Sequence, residues 1–258
     1  MLVFFGKARI GSKLVHRAKK LASSQAQLEE KLVKRNAPGL LSNLRRQERY
    51  VASAIRQSGI KADVKAALEV FGKPMKLDIA RDLYQAHTLM GTNAVTQLSI
   101  PVAFKTTKQA HMYLQLHPGE LVDQLNVASA KRIKAAIHIS EELGEAPHIL
   151  ELRVANILLG EELTRADRIM QTEIHQIGQL AEWDAFDQGG FKGKLWWSYP
   201  DARPAHADAY GQVRRIDEPF DVGDEDLMFP GDPDGSPGNI CNCRCRIIPI
   251  TAAEMERL

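Results

Sequence analysis

The glycine pair Gly189-Gly190 divides this 258-residue chain into two different kinds of sequence. Before it, apolar residues recur at helical spacing with short breaks. After it, Pro200, Pro204, Pro219, Pro230, Pro233, Pro237 and Pro249 follow one another too closely for a long helix to pass between them. Leu195 to Tyr199 is aromatic and reads as a strand, and Arg246 to Ile250 reads as a closing strand. The fold class expected is α+β: a helical N-terminal region followed by a mixed helix plus small β-rich, loop-rich C-terminal domain. An aromatic content of 6% argues against an all-β sandwich, and 44% apolar residues suffice for a real core.

Within the helical part, Lys13 to Lys34 contains neither Pro nor Gly, and Asn36-Ala37-Pro38-Gly39 is a turn signal. Leu41, Leu44, Val51 and Ile55 form an apolar stripe that Gly59 stops; Ile79, Leu83, Ala86 and Met90 form another, closed by Gly91. Leu98 to Phe104, with Pro101 inside it, reads as a short strand or an extended linker and supplies the domain boundary. Two regions are expected: a basic helical region over 1–100, and a second domain over 101–258 with helices in 120–184 and a β-rich part in 190–250. The helices of the second region are expected at Glu120 to Leu143, ended by Gly144 and Pro147, and at Ile149 to Leu159, stopped by Gly160. A third is expected from an N-cap at Thr164, with Asp167 three residues on, carrying Ile169, Ile174, Ile177 and Leu180.

The net charge of +2 conceals an uneven distribution. Residues 1–57 carry thirteen basic and three acidic side chains, and the rest of the chain holds an excess of eight acidic ones, many of them between Asp217 and Asp234. A basic arm fits a polyanion or an acidic protein surface, with Arg45, Arg46 and Arg49 as the candidate contacts; the same charges also suit a solvated helical face. The apolar run Met1 to Phe5 is short and is followed, not preceded, by Lys7 and Arg9, unlike a secretory signal. No segment has the composition of a membrane span, so a protein made and used in a cytoplasm is expected. The three cysteines, Cys241, Cys243 and Cys245, lie within five residues and cannot brace distant parts of a fold.

Four pieces occur in order in the second half. Arg165-Ala-Asp-Arg168-Ile-Met-Gln171-Thr172-Glu173 lies on an expected helix, and Lys194-Leu-Trp196-Trp197-Ser198 on an expected strand. Asp201-Ala-Arg203-Pro-Ala-His206 runs on to Gly211-Gln212. Asp217-Glu-Pro-Phe220, Phe229-Pro230-Gly231-Asp232-Pro233 and Asn242-Cys243-Arg244-Cys245 complete the set. This ordered set resembles the phage Mu F-like minor head protein family, the head-morphogenesis domain, over about Glu120 to Pro249. The chain reads Met-Gln-Thr-Glu where the family usually has Ala-Arg-Thr-Glu, so the charge of that arginine is missing at Gln171.

The resemblance implies a structural minor head protein of a phage or prophage, assembled in the bacterial cytoplasm and located in the virion. Its implied partners are the portal protein and other head proteins, and double-stranded DNA is a further candidate. The motif residues are Thr172, Glu173, Trp196, Asp201, Arg203, His206, Gly211, Asn242, Cys243, Arg244 and Cys245. Read physically, Asp201 and Arg203 can pair across a turn, and Gly211 can supply a backbone conformation closed to other residues. A buried Glu173 would need Arg203 or Arg244 beside it.

No cofactor is required by this reading, but His206, Cys241, Cys243 and Cys245 could make a Cys₃His zinc site. Against that, Cys-x-Cys is a tight spacing for two ligands of one ion. The plainer expectation is that Cys243 and Cys245 are core thiols with His206 hydrogen-bonded nearby. The chain contains no Gly-rich phosphate loop, no His-Glu-x-x-His and no Gly-x-Ser-x-Gly. The alternative class is an enzyme or toxin-like effector acting through the Arg203/His206 turn and the cysteine cluster, with Asp201 orienting His206.

Overall fold

The computed structural model describes residues 3–5, 8–159 and 162–257, with side chains described over 11–156 and 164–257. The chain opens with a hairpin of β1 (Val3–Phe5) and β2 (Ala8–Ile10). The long helix α1 (Ser12–Ser58) follows, closed by a 3₁₀ turn at Gly59–Lys61. Next come α2 (Val64–Glu69), α3 (Gly72–Leu98), α4 (Lys108–Glu142), α5 (Pro147–Leu159) and α6 (Glu162–Gln188). The remaining chain is β3 (Gly193–Trp197), α7 (Pro204–Ala209), β4 (Val213–Arg215), β5 (Phe220–Val222), β6 (Glu225–Leu227), α8 (Pro237–Ile240), β7 (Arg246–Ile250) and α9 (Ala252–Met255). The fold is therefore α+β and dominated by helix, with the strands of the C-terminal part short and antiparallel. Among the described residues no helix is long and apolar enough to cross a membrane.

The chain forms two compact units. One is built from Met1–Val33, Leu83–His111 and Gln171–Leu258, the other from Lys34–Asp82 and Met112–Met170. A single cut near residue 100 does not separate them, because residues 99–107 lie wholly inside the first unit.

In the second unit, Val51, Ile55, Val64, Leu68, Ile133, Ala136, Leu150 and Val154 make a continuous apolar cluster. The expected turn at Asn36 to Gly39 is absent: α1 runs through it with Pro38 inside. An interior proline costs about 3 kcal/mol in a helix. Pro38 and Gly39 both face solvent, where water can satisfy the carbonyl that Pro38 leaves without a donor, while Ala37, Leu40, Leu44, Val51 and Ile55 are buried. Burial of that stripe outweighs the local signal. Gly59 does end the run, with φ +56.

In the first unit, α3 continues past Gly91 instead of stopping there. Gly91 has another purpose: a methyl group there would overlap the ring of Phe104, which packs directly on the helix backbone. Residues 99–107 form no strand. The Gln188 side chain brackets them like a strand partner, its Oε1 accepting from Lys105 N at 3.0 Å and its Nε2 donating to Lys105 O at 2.7 Å. The helix expected from Glu120 begins twelve residues earlier, because Thr107 Oγ1 caps it by accepting from Ala110 N at 3.1 Å. Pro118 is accommodated inside α4, and Gly144 and Pro147 bracket its end. Thr164 is not an N-cap, since α6 already begins at Glu162. Gly160, the expected stop of the preceding helix, lies outside the described residues.

The three-stranded sheet of this unit has the order β4-β3-β7, all antiparallel. Trp197 stands opposite Arg246, and Gly193 opposite both Ile250 and Arg215. Every residue of β7 is buried, as are the first four of β3, so these two strands are covered on both faces. Lys194, inside β3, is fully buried; its Nζ donates to Met228 O at 2.8 Å and lies 5.2 Å from the Phe220 ring centre. Burial pushes this amine down to about 8, against the pull of Asp232.

Candidate functional site

The loop between β3 and β4 contains α7, whose first turn is set by Pro204 at a position where no N–H is needed. This places His206 inward, with 1% of its surface exposed. The segment leading into β7 brings Cys243 and Cys245 to the same point, each 2% exposed. Both Sγ atoms lie 3.5 Å from His206 Nδ1. On the other side of the ring, Nε2 is 3.3 Å from Asn239 Oδ1, and Asn239 Nδ2 donates to Val222 O at 3.5 Å. That second bond orients the amide with its oxygen toward the histidine, which assigns the ring proton to Nε2.

The remaining motif residues brace this corner. Trp196 is fully buried, its ring edge-on to His206 at 5.4 Å and to Phe220 at 5.3 Å. Its Nε1 donates to Ser198 Oγ at 3.0 Å, and Ser198 Oγ in turn donates to the His206 carbonyl. Gly211 takes φ +80 and donates its N–H to Trp196 O at 3.0 Å, so the conformation reserved for glycine is used. Asn242 takes φ +53 and donates its backbone N–H to Thr172 Oγ1 at 3.0 Å, tying the motif's helix to its tail.

Arg203 does not pair with Asp201. Its Nη2 donates to Cys241 O at 2.7 Å and its Nη1 to Gly238 O, so the guanidinium clamps the carbonyls of the loop that delivers the cysteines. Glu173 is buried, Arg203 donates to these two carbonyls, and Arg244 is exposed. Cys241 is exposed and stands outside the cluster: among the described residues, the group with metal-ligand proximity is His206, Cys243 and Cys245, whose donor atoms all lie within 4.8 Å of one another. The four-ligand set is thus reduced to three. Contact with Cys243, then with His206, lowers the Cys245 thiol against burial, and contact with Cys245, then burial, pushes Cys243 up. The cluster borders a pocket of about 290 Å³, lined also by Tyr199, Asp201, Arg203, Asn242 and Arg244.

No family model, curated protein or solved structure matches this chain. Arg45, Arg46 and Arg49 are placed elsewhere, in the second unit, exposed on one face of α1 and opposite the buried Leu44, Gln47 and Glu48.

One group of chemistry-bearing residues escaped the sequence reading. Arg246, 2% exposed, donates Nη1 to Glu182 Oε1 at 2.8 Å and Nη2 to Glu29. Glu29 also receives Gln171 Nε2 and lies 3.3 Å from His175 Nδ1. Burial alone would raise the Glu29 carboxyl, but Arg246 and then His175 outweigh it and hold it at about 2. Glu182, with burial unopposed on one of its oxygens, rises to about 7. The available signal was an arginine opening the apolar strand Arg-Ile-Ile-Pro-Ile, and an acid on α6 beside buried Ala181 and Ala185.

Proposed function

We propose that this chain is a structural minor head protein of a phage or prophage, acting in head morphogenesis at the portal or the inner capsid. The observation that carries the reading is convergence. The residues singled out by the resemblance, spread from Thr172 to Cys245, meet in one braced corner through Thr172–Asn242, Trp196–His206 and His206–Cys243/Cys245 contacts. Contact between residues so far apart in sequence supports reading them as one motif. Around that corner Thr172, Ser198 and Arg203 each bond a backbone N–H or carbonyl, which is what a scaffold for loops requires.

In this role the motif holds a loop-rich surface in shape for the portal protein and other head proteins, and no residue is assigned a catalytic step. The exposed face carrying Arg45, Arg46 and Arg49 suits an acidic head-protein surface or packaged double-stranded DNA. The working place of such a protein is the virion. Peptide mass spectrometry of purified, nuclease-treated particles, quantified against the major capsid protein, tests this. A few copies per particle are expected, and absence from particles despite expression during infection would overturn the reading.

A second reading is supported by the pocket itself. A thiol beside an imidazole at 3.5 Å, opening on a 290 Å³ pocket with Arg203 and Arg244 on its walls, has the parts of a nucleophilic site for an anionic substrate. An enzyme or toxin-like effector of this kind loses activity in His206→Ala while remaining folded. A variant that simply unfolds counts for the scaffold.

A further inference from the structure

We propose that His206 Nδ1, Cys243 Sγ and Cys245 Sγ together bind a zinc ion, whose fourth position is filled from the adjoining pocket by water or another small donor. The site is independent of whether the chain acts in a phage head.

Zinc bonds of about 2.3 Å to sulfur and about 2.0–2.1 Å to nitrogen, at a tetrahedral angle, hold the two donors about 3.5–3.6 Å apart. Both sulfurs lie 3.5 Å from Nδ1, and all three donor atoms fall within 4.8 Å of one another.

With the ring proton on Nε2, held by Asn239, His206 Nδ1 presents one lone pair to the cluster. Both sulfurs stand 3.5 Å from it, so a single ion can take the lone pair together with both thiolates. The Nε2–H bond to a carbonyl oxygen is also the usual outer partner of a metal-bound histidine, fixing both ring orientation and tautomer.

Two thiolates neutralise a zinc dication, so a site buried to this degree carries no net charge when loaded. The loop is already clamped by Arg203 on Gly238 O and Cys241 O, so the donors are brought together without the metal. The pocket supplies both an entry path and room for a fourth donor.

The test uses the purified full chain, kept reduced. Elemental analysis after exhaustive dialysis is expected to find one zinc per chain. Cys241→Ser retains it, while Cys243→Ser and Cys245→Ser lose it; equal loss in Cys241→Ser would return that residue to the ligand set and overturn the three-ligand site. Because the two buried-cysteine variants can fail to fold, the unmodified protein provides a second arm. After removal of metal by a chelator, cobalt(II) is added. Expected are a thiolate-to-cobalt charge-transfer band and the intense visible bands of tetrahedral cobalt. Asn239→Ala, which removes only the outer partner, is expected to weaken cobalt binding by about 10–100-fold while keeping the same spectrum. A protein that carries no zinc and gives only the weak spectrum of hydrated cobalt, its two buried thiols remaining free or joined as a disulfide, would overturn the proposal.

Discussion

Arg246 and Glu182 form a hydrogen-bonded ion pair at 2.8 Å with almost none of either side chain exposed to solvent. The opposite nitrogen of the same guanidinium is taken by Glu29. One cation is therefore shared by two buried carboxylates, and the two respond to pH in opposite directions.

Glu182 sets the upper limit. Burial, with the Glu29 charge adding and Arg246 opposing, raises its carboxyl from 4.5 to about 7. The folded state thus holds this proton more tightly than the unfolded chain does. Its contribution is complete below about pH 4.5 and is lost as pH rises through 7, by about 3 kcal/mol across that window. Glu29 behaves conversely: its carboxyl is depressed to about 2, so its contribution is present above pH 4.5 and disappears as pH falls toward 2. Glu182→Gln is expected to abolish the decline between pH 5 and pH 8 and leave the acid limb in place. Denaturant midpoints measured across that range decide it, and an unchanged decline would show that another group is responsible.

Removing the cation is more damaging than neutralising one anion. Arg246→Met leaves the buried Glu29 without its guanidinium, beside Gln171 and His175, at an expected cost of about 3–5 kcal/mol near neutral pH. Adding Glu29→Gln to that variant should recover part of the loss. Urea unfolding of the single and double variants measures both steps, and additive losses would mean that the two side chains are not coupled.

Gly91 offers a purely steric test. Gly91→Ala drives a methyl group into the Phe104 ring, with an expected loss of about 1–3 kcal/mol, although alanine is the better helix former. Phe104→Leu in the same background should return some of it. Thermal unfolding provides the comparison, and a stabilised Gly91→Ala would mean that the ring is free to move away.

The arginine face can be tested without disturbing the core. Reversing Arg46 and Arg49 to Glu should change stability by no more than about 0.5 kcal/mol per site, because both are exposed. If that face meets phosphate, the reversal abolishes DNA retention, and retention by the unmodified protein falls steeply as salt is raised; unchanged retention would count against DNA as the partner of this face.

The fold class was legible because its signals are local: proline density beyond Gly190, apolar stripes before it, and β7 at its full Arg246 to Ile250 extent. Errors arose where distant packing overrides a local rule. Pro38 and Gly39 look like a turn, yet they fall on the outer face of a helix whose inner face is buried, and Gly91 looks like a stop, yet it is a seat for Phe104. Likewise, the cysteine cluster named its own ligands only in part. Nothing in the spacing of Cys241, Cys243 and Cys245 says that the first points outward, since that depends on how the loop is clamped by Arg203. Glu29 lies 217 residues from Arg246, and no pattern within either segment links them.

That separation has a consequence for synthesis. The first unit takes residues from both the opening of α1 and the closing strand, with the segments of the second unit made in between. A nascent chain on the ribosome can complete every contact of the Val51–Leu68–Val154 cluster while Glu29 still has no guanidinium to meet. Until Arg246 has been translated, Glu29 lacks the guanidinium that offsets its burial and has only Gln171 and then His175 to meet. The second unit is thus free to mature first, and the first unit waits for β7.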